Sequence, residues 1–149
     1  MTLTGVERRM YPEGHEILVV IDDDVRRERV TRILADEGFT VSAAAEGLAA
    51  LRALTAQRYA LVIAATQLPG SLDGATTVRQ ARARQPWLKA LFIDDSHIRR
   101  GQTDCDTDDF ITVPFERHEL IGCTFELLQR GRDEAADLSR RVRTTLRAS

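Results

Sequence analysis

The sequence predicts an α/β fold, a doubly wound sheet of five parallel strands with helices on both faces. Three observations predict it. Short apolar runs rich in β-branched residues alternate with segments of helical period along most of the chain. The connections between them are brief, as in strand–helix–strand units. The first and fourth apolar runs both end in aspartates. A parallel sheet gathers such residues at one edge, outside the carboxyl ends of its strands, where ligands of these folds bind.

Residues 1–14 form a polar lead punctuated by Pro12 and Gly14. Ile17–Ile21 is then a continuous apolar run, as expected of a strand covered on both faces. From Val25 to Glu37 the period turns helical, with Val30, Ile33 and Leu34 on one face and Gly38 as the stop. Thr40–Ala44 reads as a second, alanine-rich strand, and Gly47–Gln57 as a helix with Leu48, Leu51 and Leu54 on a common face. Leu61–Ala65 is the third strand, closed by Leu68-Pro69-Gly70, and Ala75–Arg84 the next helix, ending before Pro86. Ala90–Ile93 and Phe110–Val113 complete the sheet. A helix from Glu116 to Arg130 turns Leu120, Ile121, Thr124, Leu127 and Leu128 toward the core. Past Gly131, Asp133 caps a further basic amphipathic helix bearing Ala135, Leu138, Val142 and Leu146. The organisation expected is a lead at 1–14, a domain at 15–130 and a C-terminal helix or tail at 131–149.

Composition narrows the class of function. Hydrophobic residues make up 43% and charged residues 30% of the 149, and the formal net charge is −2. That balance suits a folded soluble chain and gives no overall pull toward nucleic acid or an anionic membrane. No apolar run approaches the roughly 20 residues needed to span a bilayer, and the N-terminus shows no secretory pattern. The two cysteines, Cys105 and Cys123, form no metal-ligand spacing. They read as a loop thiol and a small helix residue, and His97 as a solvated loop histidine. The expectation is a reduced, cytoplasmic protein.

Over residues 16–130 the chain resembles the receiver domain of bacterial response regulators. The resemblance is carried by ILVVIDDD, the helix ending DEGF, AEGLAAL, YALVIAATQLPG and DDFITVPFERHEL, in order and spacing. It implies the flavodoxin-like strand order 2-1-3-4-5. It also implies a phosphoacceptor aspartate ending the third strand and acidic residues after the first strand that hold Mg²⁺. A hydroxyl ends the fourth strand and a lysine the fifth, often before a cis peptide. A carboxylate nucleophile, hard oxygen ligands and a cation are what phosphoryl transfer requires.

Laid onto this sequence, the first acidic position falls on Ile21, with Asp22 and Asp23 following. The phosphoacceptor position is Ala65, the hydroxyl position Asp94 and the lysine position Val113. A methyl group cannot attack phosphorus, so the chain reads as a pseudo-receiver and not as an enzyme. The segment between Asp95 and Asp108 is shorter than the family's and lacks helical apolar period, so the fourth helix of the family is expected to be shortened or replaced by a loop.

Two readings of the acidic edge stay open. Asp22 and Asp23 hold a weakly bound Mg²⁺ with Asp94 nearby, or the acids are a solvated remnant. The C-terminal helix is likewise a docking or homodimer element, a nucleic-acid contact or a solvated tail, with its aspartates arguing against nucleic acid. The favoured function is a phosphorylation-independent interaction module in two-component signalling, whose partner is a histidine kinase, a phosphotransfer protein or another regulator. Its expected contact residues are Phe110, Phe125, Leu138, Val142 and Leu146, with Phe125 off the main stripe of its helix as the foremost anchor. The alternative is a small-ligand sensor built on Ile21, Ala65, Asp94 and Val113.

Overall fold

The computed structural model describes residues 16–94 and 109–148, the side chains of 142–148 apart. Five strands order as β2-β1-β3-β4-β5, all parallel. They are β1 (Glu16–Val20), β2 (Thr40–Ala44), β3 (Leu61–Ala65), β4 (Lys89–Asp94) and β5 (Asp109–Thr112). The helices are α1 (Asp24–Asp36), α2 (Gly47–Ala56), α3 (Gly74–Arg84) and α4 (Arg117–Ala148). The segment expected to shorten the family's fourth helix or replace it by a loop lies outside the described residues, as do His97 and Cys105.

The pleat explains the layering, because successive side chains point to opposite faces. Ile17, Val19, Leu61, Ile63, Leu91 and Ile93 pack with Val30 and Leu34 of α1 and with Leu120 and Leu127 of α4. Their neighbours Leu18, Val20, Val62, Ala64, Ala90 and Phe92 pack with Ala50 and Leu54 of α2 and Val78 and Ala81 of α3. Each fully buried branched side chain stabilises the fold by about 1.5–3 kcal/mol. Continuous apolar runs, rather than alternating ones, are therefore what β1, β3 and β4 need.

Local signals set most of the element ends. Gly38 stops α1 at φ +96°, a backbone state that costs glycine little. Asp73 caps α3 by accepting from the Thr76 amide at 2.8 Å. In α2 the buried face is Gly47, Ala50 and Leu54. Leu48, expected on that face, is exposed, because the helix turns its smallest residues toward the sheet.

The C-terminal region differs from expectation. α4 is one helix of 32 residues that runs through Gly131, with no break there and no cap at Asp133. Asp133 instead accepts from the Gln129 side chain at 3.0 Å, within the helix. A mid-helix glycine costs about 1 kcal/mol, and the contacts beyond it offset this: Ala135 is buried and Glu134 pairs with Lys89.

Candidate functional site

The residues singled out by the sequence converge on the edge formed by the strand C-termini. Ile21 follows β1, and its amide donates to the Ala44 carbonyl at 3.1 Å. That bond continues the strand pairing and turns the side chain into the core beneath α1, where it is fully buried. Asp22 and Asp23 are exposed. The Asp23 carboxylate accepts from the Arg26 amide at 2.7 Å and caps α1. Arg27 reaches back over the loop, donating to the carbonyls of Ile21 at 2.8 Å and Asp22 at 3.3 Å and pairing with Asp24.

Ala65 ends β3 opposite Ile93 and is buried. The next residue, Thr66, is tied on both sides: its amide donates to Ile93 at 3.1 Å and its carbonyl accepts from Gly74 at 3.1 Å. Thr66 Oγ1 faces Asp94 Oδ1 at 3.3 Å, long for a hydroxyl donor. Asp94, ending β4, is only 2% exposed. Its carbonyl accepts from the Val113 amide at 3.2 Å, and Val113 packs half-buried against the α1/α4 core before a cis bond to Pro114. The edge thus brings Ile21, Ala65, Asp94 and Val113 to neighbouring strand ends. Thr66 and Arg27 join them without having been singled out. Thr66 directly follows the third apolar run, and Arg27 stands three residues after Asp24, so position alone could have marked both.

The divalent ion that the resemblance implies would need a shell of oxygen donors at this edge. Ile21 and Ala65 carry no ligand atom, the Asp23 carboxylate is engaged as a helix cap, and Arg27 covers the two nearest loop carbonyls. Among the described residues no three His, Cys, Asp or Glu side chains group as a metal site. The oxygen-rich shell that Mg²⁺ demands is not assembled by these residues. The cap gives a first prediction: Asp23→Ala should lower stability by about 1 kcal/mol, read as a shift in the urea midpoint, while Asp22→Ala leaves it unchanged.

The expected contact residues are placed as follows. Phe110 stacks on Phe92 with ring centroids 5.3 Å apart, so part of it belongs to the core. Phe125 is 46% exposed, and one side of its ring rests on Phe39 at 5.3 Å. Leu138 is half-buried, and the side chains of Val142 and Leu146 lie outside the described residues. Cys123 is half-buried, and burial, followed by the charges of Asp109, Glu126 and Glu119, pushes its thiol pKa up. The folded chain therefore holds this proton more tightly than the unfolded one. The contribution is present below the ordinary thiol pKa and fades as pH rises through the raised value. At pH 8 Cys123 should alkylate more slowly in the folded chain than in urea, followed peptide by peptide by mass spectrometry.

Comparison with known proteins identifies the fold and the family. The family model for the response regulator receiver domain matches residues 17–124. Response regulator MprA of Mycobacterium ulcerans is 35% identical over 127 residues, covering 81% of this chain and 54% of that protein. Transcriptional regulatory protein TcrA of Mycobacterium tuberculosis is 31% identical, covering 79% and 47%. The chain thus spans about half the length of the curated relatives it matches. Among solved structures, a receiver protein of Sinorhizobium medicae superposes with a TM-score of 0.74 at 22% identity, covering 80% of this chain and 98% of that one. NtrX of Brucella abortus, solved in complex with ATP, gives 0.71 at 31% identity over 83% of this chain and 29% of its own. No described helix is long and apolar enough to cross a membrane. Strand order, the edge built from the strand ends and the family match together make this chain a member of the response regulator receiver domain family.

Proposed function

We propose that this chain is a phosphorylation-independent receiver, a protein-interaction module in bacterial two-component signalling. The observation that carries the reading is Ala65 at the C-terminal end of β3, where the family's phosphoacceptor stands. Three further features support it. Ile21 is packed into the core instead of facing a metal, Asp94 puts a carboxyl where the family has a hydroxyl to meet the phosphoryl group, and Val113 supplies no balancing cation. Phosphoryl transfer depends on a nucleophile and on electrostatic stabilisation of the transferring group, and Ala65 and Val113 supply neither.

Signalling then rests on binding. The partner is a histidine kinase, a phosphotransfer protein or another regulator, met by the surface from Phe110 to Leu128 and by the second half of α4. Ile21 and Ala65 are buried in the core under α1 and α4 and Val113 packs against it, so none offers a polar group to a small ligand, which weighs against the sensor alternative. Two measurements test the proposal. Incubated with acetyl phosphate and Mg²⁺, the chain should show no phosphoryl adduct by intact mass, and an adduct mapped to the strand-end edge would sink it. Affinity capture from lysate, with retained proteins identified, should return a two-component protein on the full chain and lose it with Leu138→Asp. Capture of no such protein by either form would count against the adaptor role.

A further inference from the structure

A buried lysine outside the strand-end edge has no part in the function proposed so far. Lys89 opens β4, at the opposite end of the strand from Asp94, and its side chain is 8% exposed. Burying an ammonium group is costly unless it is paired. Its Nζ meets Glu134 Oε1 at 2.5 Å. That partner lies ten residues beyond the end of the family match at residue 124. Around the pair, Gly131 presents its bare Cα side to the lysine stem, a Cβ there standing 3.8 Å from Lys89 Cγ. Ala135, which directly follows Glu134, is buried.

We infer that Lys89 is a sheet-borne anchor that clasps Glu134 and holds the outgoing half of α4 in one direction relative to the sheet. Three features converge on this. The strand is buried along its whole length, so its first residue has little freedom to follow a moving helix. The helix carries small residues, Gly131 and Ala135, on either side of the contact, so its backbone lies close to the strand. The pair crosses a point where the sequence alone reads a break, and the helix passes it unbroken. The clasp deepens the adaptor reading by naming what orients its docking helix, although the clasp stands whether or not a partner binds there. With it, residues 131–141 form part of the folded domain rather than an appended tail.

The test is amide hydrogen exchange on the full chain, without partner, for the wild type, Lys89→Met and Lys89→Arg. Met keeps an apolar stem of similar reach and leaves the half-exposed Glu134 to solvent, so the sheet itself should stay folded. In the wild type, amides of 134–141 should be protected nearly as well as those of 120–128. In Lys89→Met their protection should fall about tenfold or more while 120–128 keeps its own, the signature of local rather than global opening. Lys89→Arg should restore part of the loss. Unprotected 134–141 in the wild type, or equal protection there in Lys89→Met, would overturn the inference. Because no partner or phosphoryl donor is present, failure of the adaptor reading leaves this result intact, and the reverse also holds.

Discussion

A chain carrying Gly74→Ala should lose a large part of its stability, about 3 kcal/mol or more. Gly74 opens α3 directly against the end of β3. A Cβ there would collide with the Ala65 carbonyl oxygen and stand 3.1 Å from its carbon and 3.2 Å from Thr66 Cα. All three atoms are backbone, so no flexible side chain can move aside. The same approach brings the Gly74 amide to Thr66 O at 3.1 Å. Moving α3 outward to admit the methyl group would break that bond and open the strand-end edge beside Ala65. Against a typical total of about 5–15 kcal/mol, the urea midpoint should fall steeply. Gly122→Ala is the matched control, since a Cβ there meets nothing within 4 Å. Placed in an exposed helix interior, it should stabilise by about 0.5–1 kcal/mol. A Gly74→Ala midpoint equal to that of the wild type would disprove the close approach.

Phe92→Ala is expected to cost about 3–5 kcal/mol, from lost transfer energy and the cavity left behind. Phe92 is among the largest fully buried side chains and lies under α2 and α3, with its ring against Phe110. The partner ring is partly exposed, so Phe110→Ala removes less buried surface and should cost clearly less. This pair also separates structure from binding at Phe110. If Phe110→Ala keeps most of the stability yet abolishes capture of a two-component protein, the residue is a contact anchor. If it unfolds the chain as Phe92→Ala does, its role is packing. Equal stability of the wild type and Phe92→Ala would mean the β4–β5 core is misplaced.

The candidate site was legible in the sequence as far as residue identity goes. Ala65, Asp94 and Val113 are marked by laying the receiver resemblance onto the strand endings, and Asp94 also as the acid that closes the fourth run. What those positions do depended on neighbours distant in sequence. Asp94 faces Thr66, which lies 28 residues away, and no local pattern pairs them. Asp23 reads as a metal candidate because aspartates cluster there, and in the structure one of its carboxylate oxygens accepts from the Arg26 amide at the start of α1. A cap and a ligand use the same residue type, and only the backbone direction separates them. Phe125 reads as an exposed anchor from its place off the stripe, and it is exposed, with one side of its ring resting on Phe39.

The sequence by itself determined the strand and helix order, the parallel sheet and the chemistry available at its edge. Those follow from short-range facts: period, β-branching, the glycine stop at Gly38 and the residue type at each strand end. Tertiary structure decided the length of α4, the orientation of its second half and the partners of the buried polar groups. A mid-helix Gly131 reads as a break from local propensity, worth about 1 kcal/mol. Lys89, on a strand 45 residues before Glu134, helps offset it through an ion pair buried at the lysine end. Local propensities are small and read in order along the chain, whereas tertiary pairing and burial join residues that only the folded sheet brings together.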